Sequence, residues 1–113
     1  MLSFNAIKRL SLRSDHHNFR HVAVLTRGSS VVAIGFNHNT IHAEDAVLRR
    51  VWPDQRAGLT LWSYRVTRGG RLSMARPCVM CQAMLLRNGI IRVRYSDSNG
   101  KMIKLNLAQG VIQ

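Results

Sequence analysis

The sequence predicts an α/β domain: one five-stranded mixed sheet flanked by about three helices and ending in a β-hairpin. Three observations carry that prediction. β-branched runs and helix-periodic runs alternate in the order α-β-β-α-β-α-β-β. The connections between them are short. Asn99-Gly100, a strong hairpin turn signal, stands between the last two apolar runs. A length of 113 residues gives room for one domain, residues 1–113, and 46% hydrophobic content supplies a core without disulfide staples.

Taken in order, residues 4–12 read as a helix carrying Phe4, Ile7, Leu10 and Leu12. Met1 to Ser14 is basic, Ser-containing and free of acids, which resembles a mitochondrial transit peptide; a basic amphipathic first helix is the simpler reading. The polar break Ser14-Asp15-His16-His17-Asn18 follows. His21–Leu25 and Val31–Phe36, separated by Thr26-Arg27-Gly28-Ser29-Ser30, read as an antiparallel hairpin. Residues 42–51 then suit a helix with Ala43, Ala46, Val47, Leu48 and Val51 inward, closed by Pro53-Asp54.

Leu59–Thr67 reads as a third strand, with Trp62 and Tyr64 sharing one face by period two and reading as core. Arg68-Gly69-Gly70 ends it, and Leu72–Ala75 is a short approach to Pro77. Residues 78–87 suit a helix with Pro77 at its first turn and Asn88-Gly89 at its end. Ile90–Tyr95 is a fourth strand and Met102–Leu107 the returning fifth. Apolar stretches such as Val31-Val32-Ala33-Ile34 are too short to span a bilayer, and no signal peptide is evident, so no membrane partner is expected.

Seventeen Lys and Arg against five Asp and Glu give a net charge of +12. Fourteen of the seventeen are arginine, whose planar fork suits bidentate phosphate contacts. Such an excess favours a polyanionic partner, nucleic acid being the usual one; a merely solvated basic surface is the alternative.

Cys78 and Cys81 are the only cysteines, which excludes a disulfide framework. They leave a metal site or a redox dithiol, in a cytoplasmic or other intracellular reducing compartment. At i and i+3 they lie about 60° apart around a helix, near an N-terminus whose dipole favours thiolates, the form that zinc binds. A catalytic zinc needs a third protein ligand. His42, at the start of the other internal helix, is the candidate, with Glu44, the only glutamate, two residues on. Two residues apart on a helix means about 200° of rotation, so His42 and Glu44 share a site only if the metal lies beyond the helix end.

His42-Ala43-Glu44 with Pro77-Cys78-Val79-Met80-Cys81 resembles the signature of the zinc-dependent cytidine and deoxycytidylate deaminase superfamily. The element order resembles that family's too. The resemblance implies a three-layer α-β-α cytidine-deaminase-like fold, its fourth and fifth strands forming the C-terminal hairpin. It implies that His42, Cys78 and Cys81 hold Zn²⁺, which acidifies a bound water, and that Glu44 shuttles protons from that water to the ring nitrogen and the leaving ammonia. It also implies that the Ala43 amide and the carbonyl preceding Pro77 frame the base, and that Asn37 lies near the sugar. A turn or cap is the alternative for Asn37. His16, His17, His21 and His38 read as surface or loop residues, the ligand set being already filled.

Pro-Cys-Val-Met-Cys is similar also to tRNA adenosine deaminases, but Arg76 stands where those enzymes carry an acid, and only four residues separate Asn37 from His42. Both features, with the C-terminal hairpin, lean toward cytosine. Arg94 and Tyr95, at the end of the fourth strand, are candidate phosphate and stacking contacts, Tyr95 otherwise packing inward. The reading is deamination of cytosine to uracil in single-stranded DNA or RNA. The alternatives are free deoxycytidine, cytidine or dCMP, a tRNA-type adenosine substrate, or a non-catalytic zinc-containing nucleic-acid module. A homo-oligomer is a further possibility, since some relatives assemble.

Overall fold

The computed structural model describes residues 2–15 and 19–112. Its elements are α1 (Phe4–Ser11), β1 (Arg20–Arg27), β2 (Ser30–Phe36), α2 (Ala43–Leu48), β3 (Thr60–Val66), β4 (Leu72–Ser73), α3 (Val79–Arg87), β5 (Arg92–Ser96), β6 (Met102–Asn106) and α4 (Leu107–Ile112). The main strands run β2-β1-β3-β5-β6, with β4 paired to β3 off that path. Every pairing is antiparallel except β3 with β5, which makes the sheet mixed as expected.

Strand alternation sorts the side chains into two cores. Ala23 and Leu25 of β1 join Val47 and Leu48 of α2, Leu85 of α3 and Leu107 of α4 on one face. Val22 and Val24 join Ile7 of α1 with Tyr64 and Val66 of β3 on the other. Helices therefore cover both faces, in three layers. Tyr64 is buried, and Trp62 packs against the same cluster, as their spacing predicted.

Four details differ from the sequence reading. A fourth helix, α4, begins where Leu107 was expected to continue a strand. The Asn106 side chain accepts from the amides of Ala108 (3.0 Å) and Gln109 (3.4 Å), a helix N-cap that stops β6. The expected approach after Gly70 contains the two-residue strand β4, because the Thr67–Arg71 turn folds it back onto β3. Helix α2 ends at Leu48, with Arg49 as its cap, yet Val51 stays buried in the turn that follows. In α1, Ile7 is buried but Phe4 and Leu12 are exposed; Leu12 is the C-cap, past the last turn that faces the sheet.

One close approach fixes α2 on the sheet. A Cβ on Gly35 of β2 would lie 2.5 Å from the Val47 amide nitrogen, so the helix rests directly on the strand's backbone. No helix among the described residues is long and apolar enough to cross a membrane.

Candidate metal centre and active site

Both ligand-bearing helices open with a side chain that belongs to their cap. His42 is the N-cap of α2, with extended backbone at φ −71° and ψ 151°. Cys78 is the N-cap of α3, at φ −65° and ψ 165°, and its Sγ accepts from the Cys81 amide at 3.4 Å. The expectation that Cys78 lies inside the helix, with Pro77 at its first turn, is thereby corrected. The helix starts one residue later, and Pro77 precedes the cap.

The two caps converge. His42 Nδ1 lies 3.2 Å from Cys81 Sγ, and the donor atoms of His42, Cys78 and Cys81 all fall within 4.8 Å of one another. Tetrahedral zinc, with bonds of about 2.0 Å to nitrogen and 2.3 Å to sulfur, requires ligand atoms roughly 3.5–3.8 Å apart. The spacing and the N, S, S donor set fit zinc. The electrostatics point the same way. For the protein side chains alone, burial pushes the Cys81 thiol well above its ordinary range, and Glu44, Cys78 and Asp45 push it further. A divalent cation relieves that crowding of negative charge. Cys78 and Cys81 are free thiols, with no disulfide between them.

Glu44 sits in the first turn of α2 and is 2% exposed. Its Oε1 is buried with no hydrogen-bond partner among the described residues and lies 3.7 Å from His21 Nδ1. His21 corrects the sequence reading: it is neither surface nor loop but a β1 residue only 9% exposed. Period two on β1 puts it with Ala23 and Leu25 on the face that α2 covers, a signal legible in the alternation itself. Its Nε2 lies 2.6 Å from Ser63 Oγ, and Ser63 donates to the Ala75 carbonyl at 2.7 Å. Burial lowers the His21 pKa; Glu44 opposes that shift, while Arg65 and His42 add to it.

Arg65 is directly opposite His21 in the β1–β3 register. Its guanidinium stacks 5.3 Å from the Phe19 ring centroid, and its Nε is buried without a hydrogen-bond partner among the described residues. Phe19, His21, Asn37, Asn39, His42 and Arg65 line a cleft of about 290 Å³ leading to the cluster. A second cleft of about 280 Å³ reaches Cys78 and Cys81 from the side of Asp45 and Met84. Sequence reasoning missed Arg65, Ser63 and Phe19, which lie outside any motif.

The remaining predicted residues divide. Asn37 lines the cleft, but its side chain is engaged by the chain: Oδ1 accepts from Ser14 Oγ (2.6 Å) and the His21 amide (2.8 Å), and Nδ2 donates to the Phe19 carbonyl (2.7 Å). Ala43 is buried in the first turn of α2, where amides have no intrahelical acceptor. Pro77 is buried, and its carbonyl accepts from Gln82 Nε2 at 2.8 Å. Tyr95 is 8% exposed and packs in the larger core, so it presents no stacking platform. Arg94 lies on the opposite face from the cluster, because its neighbours Val93 and Tyr95 occupy the side covered by α2 and α3; its row runs from Trp62 to Lys104. His38 is exposed, in an isolated bridge with Ile41. His16 and His17 lie outside the described residues.

The comparisons follow the same geometry. No protein-family model matches the sequence, and no curated protein matches it. Among solved structures, the apo form of a dCMP deaminase from the cyanophage S-TIM5 superposes with a TM-score of 0.63 at 19% identity, covering 84% of this chain and 79% of that one. This chain has the fold of a dCMP deaminase. The same fold appears in Acinetobacter baumannii RibD, at a TM-score of 0.59 and 19% identity in two forms. There the match covers 83% of this chain and 27% or 26% of RibD, so the chain spans about a quarter of that protein. On this fold His42, Cys78 and Cys81 form a group of three donors that could hold a metal ion.

Proposed function

We propose that the protein is a zinc-dependent hydrolytic deaminase that converts the cytosine of a nucleotide to uracil. One observation carries the reading: three donors that fit zinc converge near Glu44, a buried carboxylate whose Oε1 has no hydrogen-bond partner among the described residues, and His42 of that cluster lines a cleft of about 290 Å³. His42, Cys78 and Cys81 would hold zinc, which when bound would acidify a water for attack on the carbon that bears the exocyclic amine. Glu44 would take one proton from that water and give it to the ring nitrogen, then take the second from the hydroxyl now on the ring carbon and deliver it to the departing ammonia. The first-turn amide of Ala43 faces no acceptor in its own helix and is suited to hold a base edge. Arg65 is the cation of the cleft and suits the nucleotide's phosphate. Asn37, its own amide engaged, supports the reading by tying Ser14, Phe19 and His21 together beside the cleft.

A single nucleotide is favoured because neither contact that pointed to a polymer is presented at the cluster: Tyr95 is buried in the core and Arg94 lies on the opposite face of the sheet. The second reading, cytosine in single-stranded DNA or RNA, rests on the net charge of +12. The test offers purified zinc-loaded protein dCMP, cytidine, adenosine and cytosine-containing oligonucleotides. Uracil formed from dCMP, insensitive to moderate salt, supports the nucleotide reading. Turnover of oligonucleotides alone, falling steeply with salt, transfers it to the polymer, and inosine transfers it to adenosine. Glu44→Ala should abolish turnover with zinc content and melting temperature kept. A Glu44→Ala variant that still turns over removes Glu44 from the chemistry, and a protein that holds zinc and deaminates nothing leaves the non-catalytic zinc module standing.

A further inference from the structure

The two faces of the sheet differ in how far they are covered. On the side of α2 and α3, cover reaches the last strand: Val93 of β5 is buried, and Ile103 and Leu105 of β6 pack against the larger core. On the other side α1 packs on β1 and β3, and the smaller core takes in Met102 of β6. Past that point the face is open, with Arg92, Lys104 and Asn106 exposed. Alternation and register set what it displays. Arg94 stands between Trp62 and Lys104, and the next row is Thr60, Arg92 and Asn106. Trp62 is half-buried, its indole N–H fixed on Thr26 Oγ1 at 3.0 Å. The acids are elsewhere. Glu44 and Asp45 belong to α2, and Asp54 to the 3₁₀ turn that follows it. The Asp97 carboxylate accepts from the Asn99 and Lys101 amides, and that of Asp15 from the Asn39 amide. At the β5–β6 turn, a cleft of about 560 Å³ adds Phe4 and Arg71 to the same side.

We propose that this open half-face, Trp62 with Arg92, Arg94 and Lys104, is a docking surface for single-stranded nucleic acid. A single strand offers both groups that the surface suits. Its phosphates match the guanidinium and ammonium groups, and its base faces match the indole and the aliphatic stems around it. A duplex hides its base faces, and a broad sheet face does not enter a groove as a helix does. An acidic protein segment would match the cations and leave Trp62 unused. From Met102 to Asn106, β6 spans about 14 Å, room for a few nucleotides. The metal cluster is carried by α2 and α3 on the opposite side of the sheet, so a strand docked here is not the one presented to Glu44. The surface thus gives the net charge of +12 a use that needs no polymeric substrate, and it stands independently of the deaminase reading.

The experiment measures binding of the zinc-loaded full-length protein to a fluorescent oligothymidylate of about 12 nucleotides, by anisotropy over a series of salt concentrations. The oligomer contains no cytosine, which separates docking from turnover. Arg94→Glu and Lys104→Glu should each weaken binding about 10- to 100-fold. Arg94→Ala and Lys104→Ala should each reduce the slope of log K against log salt by about 0.7. Arg27→Glu makes the same change in net charge, but its side chain is tied to the Gln55 carbonyl away from this face, and it should weaken binding far less. In a Trp52→Phe background Trp62 is the only tryptophan, and the oligomer should quench its emission. If Arg94→Glu does not fold, Lys104→Glu, at an exposed position, carries the test. Equal losses in Arg27→Glu, Arg94→Glu and Lys104→Glu reduce the effect to net charge and overturn the proposal. Binding without a change in Trp62 emission overturns it too, as does no binding at low salt. A duplex of equal length that binds as tightly, or binding only to an acidic peptide or to anionic vesicles, overturns the single-stranded assignment.

Discussion

Gly35→Ala tests whether α2 is seated on β2 as the structure has it. The added Cβ would meet three Val47 atoms, the amide nitrogen at 2.5 Å and Cα and Cβ at 2.8 Å. Two of these are backbone, so no rotamer change relieves the clash. Gly35 has no positive φ, so the whole cost is steric. Restoring ordinary contact requires α2 to rise by about 0.9 Å. Overpacking of that kind costs about 1–3 kcal/mol, which for a chain of this size lowers Tm by roughly 4–12 °C. The same displacement carries His42 and Glu44, whereas metal–ligand distances tolerate only about 0.2 Å. Zinc affinity should therefore weaken by about 10- to 100-fold. Thermal denaturation, with and without chelator, and competitive zinc titration read both effects. Gly69→Ala is the control, since its Cβ would meet nothing nearer than Thr67 Oγ1 at 3.8 Å. A Gly35→Ala protein that melts with the unaltered one refutes the seating of the helix. One that is destabilised yet binds zinc normally refutes the link between that seating and the metal centre.

Cys78→Ser and Cys81→Ser should each lose zinc in metal analysis, and chelation should lower the Tm of the unaltered protein while leaving that of Cys81→Ser unmoved. Arg65→Ala should raise KM for dCMP by about 10- to 100-fold and leave cytidine nearly unaffected, as loss of one charge-assisted contact to phosphate requires; equal effects on both substrates would place the phosphate elsewhere. His21 has a folded-state pKa below its ordinary 6.5, because burial disfavours the cation. Below 6.5 the unfolded chain therefore binds more protons than the folded one, and stability falls as pH drops through that range. Urea midpoints of metal-free, reduced protein should be lower at about pH 5.5 than at pH 7.5, and His21→Asn should flatten the difference. A midpoint that rises on acidification would contradict the burial of a neutral ring.

The strands were legible because each is a short run with a strong boundary: Gly28 between β1 and β2, Gly70 after β3, Asn99-Gly100 before β6. The C-terminal hairpin followed directly from its turn. What escaped was decided by side chains with two uses. Leu107 suits a strand end or a helix start equally, and the Asn106 carboxamide decides between them by capping α4. Tyr95 suits a binding loop or a core, and its place beside Val93 in the alternation decides for the core. Arg94, one residue before, is turned to the opposite face by the same alternation. A pair adjacent in sequence at a strand end cannot serve one site on one face of a sheet, and that rule was available from the sequence.

The metal ligands were legible by spacing, but the geometry that makes the spacing work was not. On helical backbone, His42 and Glu44 would diverge by about 200°. The cap removes the conflict: at ψ 151° the chain has not yet entered the helix, so His42 projects from extended backbone toward Cys81 while Glu44 is carried by the first turn. Cys78 uses the same device, its Sγ held by the Cys81 amide before the helix begins. Each motif is thus a cap residue plus a first-turn residue, and each needs its helix to start at one particular position. That explains why His21 went unseen. Its partners are one residue on β3 and one on α2, 42 and 23 positions away, joined only when the sheet register forms. Short-range chemistry at a helix start can be read from a chain as text; chemistry across strands depends on a register that no local pattern states.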